Sequence, residues 1–102
     1  NKEATLWSIP EKFFEAVTAL EPFSEDGNIY FDNGYLRSHP SETVGASFDI
    51  VGTPKGVVYP ARYLKMLNGL ANKIDFITPF NNAYCLTFQG DNARGVIAGR
   101  AN

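Results

Sequence analysis

The sequence is poor in the residues that most often carry chemistry. It holds one cysteine (Cys85), one histidine (His39), one methionine and one tryptophan in 102 residues. A single cysteine cannot form an internal disulfide and supplies no spaced pair for zinc, so a reducing compartment, the cytoplasm, is expected. No run of apolar residues approaches the roughly 20 needed to span a bilayer, and residues 1–30 are not expected to act as a signal peptide. There is no Gly-x-Ser-x-Gly elbow, no phosphate-cradling glycine loop and no His-Glu-x-x-His run. The acidic stretches Glu25-Asp26-Gly27-Asn28 and Asp32-Asn33-Gly34 lack the spaced carboxylates of a calcium loop and read as turns. A Cys85–His39 pair would need two residues that sit in unlike settings, an alternating strand and a polar loop. The expectation is a protein without catalytic residues, metal or cofactor.

What is present is an ordinary globular composition, 44% hydrophobic and 20% charged. Fourteen aromatics (eight Phe, five Tyr, one Trp) suffice for the core of one domain spanning residues 1–102. The net charge of −2 hides an asymmetry. Residues 1–50 carry three cations and nine acids, a balance of −6, and residues 51–102 carry six cations and two acids, a balance of +4. Such a split suits halves that neutralise each other within one fold, a basic face, or head-to-tail docking of copies.

Residues 4–9 read as a short strand, and Ser8 with Glu11 as a capping box around Pro10. Phe13, Phe14, Ala16, Val17 and Leu20 then recur at helical spacing until Pro22. Asp32-Asn33-Gly34 joins strands 28–31 and 35–37 as a tight hairpin. His39-Pro40-Ser41-Glu42 is a loop, and residues 43–51 alternate as a strand with Val44, Ala46, Phe48 and Ile50 on one side. After a turn at 52–56 and a brief strand at 57–59, Pro60 opens a second helix reaching about Asn72. Tyr63, Leu64, Leu67 and Leu70 form its expected buried stripe, with Arg62, Lys65, Asn68 and Asn72 opposite and Gly69 marking a close contact. Strands at 74–78, 83–88 and 94–98, turning at Pro79-Phe80-Asn81-Asn82 and Gly90-Asp91-Asn92, finish the chain as a meander. The order β-α-β-β-β-β-α-β-β-β predicts an α+β fold with two helices on one face of an antiparallel sheet.

The segment Tyr59-Pro60-Ala61-Arg62-Tyr63-Leu64-Lys65-Met66-Leu67-Asn68-Gly69-Leu70 resembles the second helix of a domain of the bacterial DNA polymerase III β sliding clamp. Ile74 to Thr78, Ala83 to Gln89 and Arg94 to Ala98 resemble that domain's closing strands, and the earlier elements match in order. The resemblance implies a DNA-clamp-like fold of two β-α-β-β-β units. It also implies a non-catalytic processivity role: copies surround duplex DNA, helices inward, and tether replication proteins. A ring retains DNA by topology, so weak phosphate contacts without sequence preference suffice. The resemblance places Arg62, Lys65 and Lys73 as the DNA-facing cations of a homo-oligomer or a larger chain. Ala98-Gly99-Arg100 stands where the family carries the hydrophobic residues that help receive partner peptides, so no pocket residue carries over. The alternative reading is a small protein-binding module, whether accessory, inhibitor or structural assembly protein, without DNA binding. A third reading is an enzyme whose site of carboxylates and tyrosines is assembled only in space.

Overall fold

The computed structural model describes residues 6–41, 43–76 and 84–102. The fold is α+β: two helices and two antiparallel sheets. In chain order the elements are β1 (Leu6–Ser8), α1 (Glu11–Leu20), β2 (Asn28–Asp32), β3 (Tyr35–Arg37), β4 (Ser47–Asp49), β5 (Lys55–Pro60), α2 (Ala61–Met66), β6 (Lys73–Asp75), β7 (Leu86–Gln89), β8 (Arg94–Ile97) and β9 (Arg100–Ala101). A 3₁₀ turn, Glu21–Phe23, closes α1 at Pro22.

The expected single sheet is divided in two, with strand orders β1-β6-β7-β8 and β4-β3-β2-β5-β9. The chain falls into two units of like order, β1-α1-β2-β3-β4 and β5-α2-β6-β7-β8, and their first strands are exchanged. β1 pairs with β6 of the second unit, Trp7 opposite Ile74, while β5 pairs with β2 of the first, Tyr59 opposite Ile29. Both helices and both sheets share one core. Phe13, Val17 and Leu20 of α1 join Ala61 and Leu64 of α2 and Leu67 at its C-cap, with Phe31, Tyr59, Ile74 and Leu86 from the strands. The Phe31 ring stands edge-on to Tyr59 at 5.2 Å and lies 5.7 Å from Phe76, while Trp7 meets Phe13 edge-on at 5.5 Å. Such pairs add about 0.5–1.5 kcal/mol each beyond the area they bury. Trp7 also donates Nε1–H to the Val51 carbonyl at 3.2 Å, tying the four-stranded sheet to the loop leaving the other.

Local chemistry explains where the expectations hold. Asn33 and Gly34 both take positive φ, 48° and 94°, the signature of the two-residue hairpin turn, and β2 and β3 pair across it. The β6-β7-β8 meander forms, and the Gly90 N–H bonds the Ala93 carbonyl at 2.7 Å in its second turn. The expected turn at Pro79-Phe80-Asn81-Asn82 lies outside the described residues, as do Ala4, Thr5, Glu42, Ile77, Thr78 and Ala83.

Five local expectations are corrected. Ser8 caps nothing, because it is the last residue of β1, and the α1 N-cap is Pro10 without a side-chain bond. Residues 43–46 are not strand. Ser38 binds Ala46 through both backbone and side chain, which folds the preceding loop back, and only Ser47–Asp49 pairs with β3. Helix α2 stops at Met66, six residues short, and runs into turns in which Gly69 has φ 83° and open space around it instead of a close contact. Its buried stripe is Ala61, Leu64 and Leu67, while Tyr63 and Leu70 are exposed.

Candidate functional site

Helix α2 presents two of the three cations assigned to a DNA-facing surface. Pro60 starts it in an extended conformation suited to an N-cap, and the Ala61 N–H is satisfied by the Gly27 carbonyl at 2.9 Å. With Ala61, Leu64 and Leu67 inward, Arg62 and Lys65 point to solvent. The Arg62 guanidinium lies 4.6 Å from the centroid of the Tyr63 ring and donates to its hydroxyl at 3.2 Å. Lys65 forms an ion pair with Glu21 of the 3₁₀ turn. Both side chains of that pair are more than 30% exposed, so it contributes only about 0–1 kcal/mol and leaves the ammonium open to exchange for a phosphate.

Lys73 lies beyond the helix. It begins β6, opposite Ser8 of β1, and its Nζ donates to the Ser8 hydroxyl at 2.9 Å. The structure therefore brings Arg62 and Lys65 together on one element and sets Lys73 on a sheet.

Helix α1 packs against α2 and gives the shared helical surface a second character. Glu11, Glu15 and Thr18 of its outer side line a shallow groove with Phe14, Ala19 and Asn68 of the segment after α2. The carboxylates of α1 and the cations of α2 are thus presented by two helices packed against each other. Tyr63 and Met66 of α2 and Leu70 of the turn after it are 40%, 52% and 38% exposed, although helical spacing puts Tyr63 and Leu70 inside.

The outer face of the five-stranded sheet carries a second cluster, which the sequence reading missed. Asp26 accepts hydrogen bonds from the Ser24 hydroxyl and the Asn28 N–H, both at 3.0 Å, and from the Tyr30 hydroxyl. The Arg100 Nη2 lies 3.6 Å from the same carboxylate and 3.4 Å from the Tyr30 oxygen. Burial pulls the Asp26 carboxyl upward, but those hydrogen bonds outweigh it and hold it at about 2. Tyr30 is raised by burial and then by its carboxylate partner. A parallel arrangement links Arg37 to Asp32 at 3.2 Å, with the guanidinium 4.9 Å from the Tyr35 ring. Strand alternation does put Tyr30 and Asp32 on one face, but nothing local announces a partner 70 residues away.

The remaining reactive groups are built into the scaffold. Nδ1 of His39 lies 2.7 Å from the Ser38 hydroxyl oxygen, but Ser38 is 1% exposed and accepts the Ala46 N–H at 3.0 Å, which makes the pair a loop staple. Cys85 is half-buried, and Tyr59 beside it is raised well above the ordinary phenol range, first by burial and then by that thiol. Among the described residues no group of three or more His, Cys, Asp or Glu is placed to hold a metal ion, and no helix is long and apolar enough to cross a membrane.

No protein-family model matches the sequence, and neither a curated protein nor a solved structure matches the chain.

Proposed function

We propose that this chain is a non-catalytic, sliding-clamp-like processivity domain that assembles with copies of itself, or within a larger chain, around duplex DNA and tethers replication proteins in the cytoplasm. The observation that carries the reading is the arrangement of two β-α-β-β-β units whose helices lie side by side, with Arg62 and Lys65 exposed on one of them. Cations presented on a helix suit sequence-blind contact with phosphates, and retention by topology makes the modest charge of this surface sufficient. Assembly has a physical basis in the sheet edges. The β4 edge is exposed along its length and carries Phe48 and Asp49, and the β8 edge carries Arg94 and an exposed Val96. Edges of opposite charge on opposite sheets favour head-to-tail pairing, the kind that closes into a ring when the rotation allows.

Native mass measured over a range of concentration and salt, followed by retention on closed circular against linearised DNA, tests the reading. A discrete ring-sized oligomer held on circular DNA is expected, and Arg62→Glu with Lys65→Glu weakens that hold without unfolding the chain. A monomer at every concentration removes the self-assembled ring. A double variant that holds DNA as well as the parent overturns this placement of the DNA face.

The exposed apolar side chains Tyr63, Met66 and Leu70 favour a second reading, a protein-binding module without DNA. That reading predicts a defined protein partner lost on Met66→Glu and no difference between circular and linear DNA.

A further inference from the structure

Strand β9 has only two residues, and it is the edge strand of the five-stranded sheet beside β5. Arg100 pairs with Val58 and Ala101 with Val57, and the Asn102 N–H reaches the Gly56 carbonyl at 3.0 Å. Tyr30, Val58 and Arg100 therefore stand in one row across β2, β5 and β9. Val58 is 1% exposed although it faces away from the main core. The Arg100 guanidinium reaches across that row to 5.8 Å from the Tyr30 ring centroid.

The groups that receive Arg100 belong to the rest of the molecule. Asp26 is oriented by Ser24, Asn28 and Tyr30, all remote in sequence from β9. The backbone just before β9 is equally selected. A Cβ added at Gly99 would lie 2.6 Å from Cε1 of Tyr59 and 2.7 Å from the carbonyl oxygens of Val58 and Tyr84. The β5 edge thus has three recognition features: main-chain groups for an extended strand, a tight wall that admits only glycine, and a carboxylate and phenol that receive a cation at the next position.

We infer that the β5 edge is a strand-accepting site for an extended Gly-Arg segment, and that Gly99–Ala101 fills it as the chain's own displaceable strap. The occupant in trans is the same segment of a second copy, since every copy carries the sequence that fits. In cis the strap competes at an effective concentration of order millimolar, so exchange requires crowded copies or a weakened strap. This site is separate from the helical surface and does not depend on the reading given to that surface.

The test uses the full chain with Arg100→Ala, which weakens the strap and leaves Asp26, Tyr30 and Gly99 in place. The synthetic segment Ile-Ala-Gly-Arg-Ala-Asn, the sequence of residues 97–102, stands in for the second copy. Amide shifts of Gly56, Val58 and Tyr30 report its binding. It is expected to bind the variant about tenfold or more tightly than the parent chain. Replacing its arginine by glutamate or its glycine by valine removes binding, as does Asp26→Asn in the Arg100→Ala chain. Equal affinity for parent and variant, altered segments that bind as well as the original, or no shift at millimolar segment overturns the inference.

Discussion

The two β-α-β-β-β units place their elements in the same order and present different surfaces. In the first, a ten-residue helix with Glu11 and Glu15 outward is followed by β2 and β3, joined by a two-residue turn. In the second, a six-residue helix with Arg62 and Lys65 outward gives way to turns and then to β6-β7-β8. Each helix meets the core through the same kind of spacing: Phe13, Ala16, Val17 and Leu20 in one, Ala61, Leu64 and Leu67 in the other. The inward residues carry the fold and the outward ones are free to differ. A common order of elements therefore says little about what either face binds.

Core truncation tests the shared side of this comparison and carries the largest effects. Phe13→Ala removes a ring that is 0% exposed and touches Trp7, Phe14 and Phe31, and should cost about 3–5 kcal/mol in urea unfolding. Leu64→Ala in the second helix should cost about 2–5 kcal/mol. Leu70→Ala, at a position 38% exposed, should cost less than about 1 kcal/mol. Equal losses at Leu64 and Leu70 would mean that the short helix packs differently.

A smaller effect separates the outer face of the first unit from that of the second. The Asp26 carboxyl is depressed in the folded chain from 3.8 to about 2. A depressed acid contributes stability above its unfolded value, and that contribution is lost as pH falls from about 4 toward 2. With the side chain 43% exposed, solvent screening reduces the contribution to about 1 kcal/mol. Asp26→Asn should flatten this part of the pH profile, and an unchanged acid limb would remove the carboxylate from the account.

The smallest effect sits where the two units meet. Glu21→Gln frees Lys65 and should change stability by less than about 1 kcal/mol, with a difference that fades in salt. If the helical surface meets phosphates, the same variant should tighten DNA retention. Weaker retention would assign Glu21 a positive role in binding.

The local parts of this architecture were legible and the long-range parts were not. The Asn33-Gly34 hairpin could be read because its signal lies within two residues, and α1 because its apolar positions repeat inside one element. The second helix was read too long, since Tyr63 and Leu70 keep helical spacing while standing in solvent. Ser8 read as a cap because its strand partner Lys73 is far along the chain. The alternation over 43–51 was real in sequence, but the bonds between Ser38 and Ala46 fold its first part into a loop. At the candidate site, periodicity put Arg62 and Lys65 on the outer side of α2, as observed. It had no means of finding Glu21 against Lys65, or Arg100 against Asp26, because sheet and helix packing create those contacts.

The exchange of first strands also has a consequence for how the chain is made. During synthesis β2 and β3 can zip as soon as they emerge, because their partners are neighbours. Leu6–Ser8 must wait until Lys73–Asp75 has left the ribosome, since no earlier segment completes its ladder. Closing so long a loop is entropically costly and slows folding relative to a protein of local contacts. The nascent first unit meanwhile keeps Trp7 without Phe76 and without its strand partner Ile74, apolar surface that a chaperone or a neighbouring nascent chain can reach. Cleavage of the chain between Asp49 and Lys55 should therefore release two fragments that fold only when mixed.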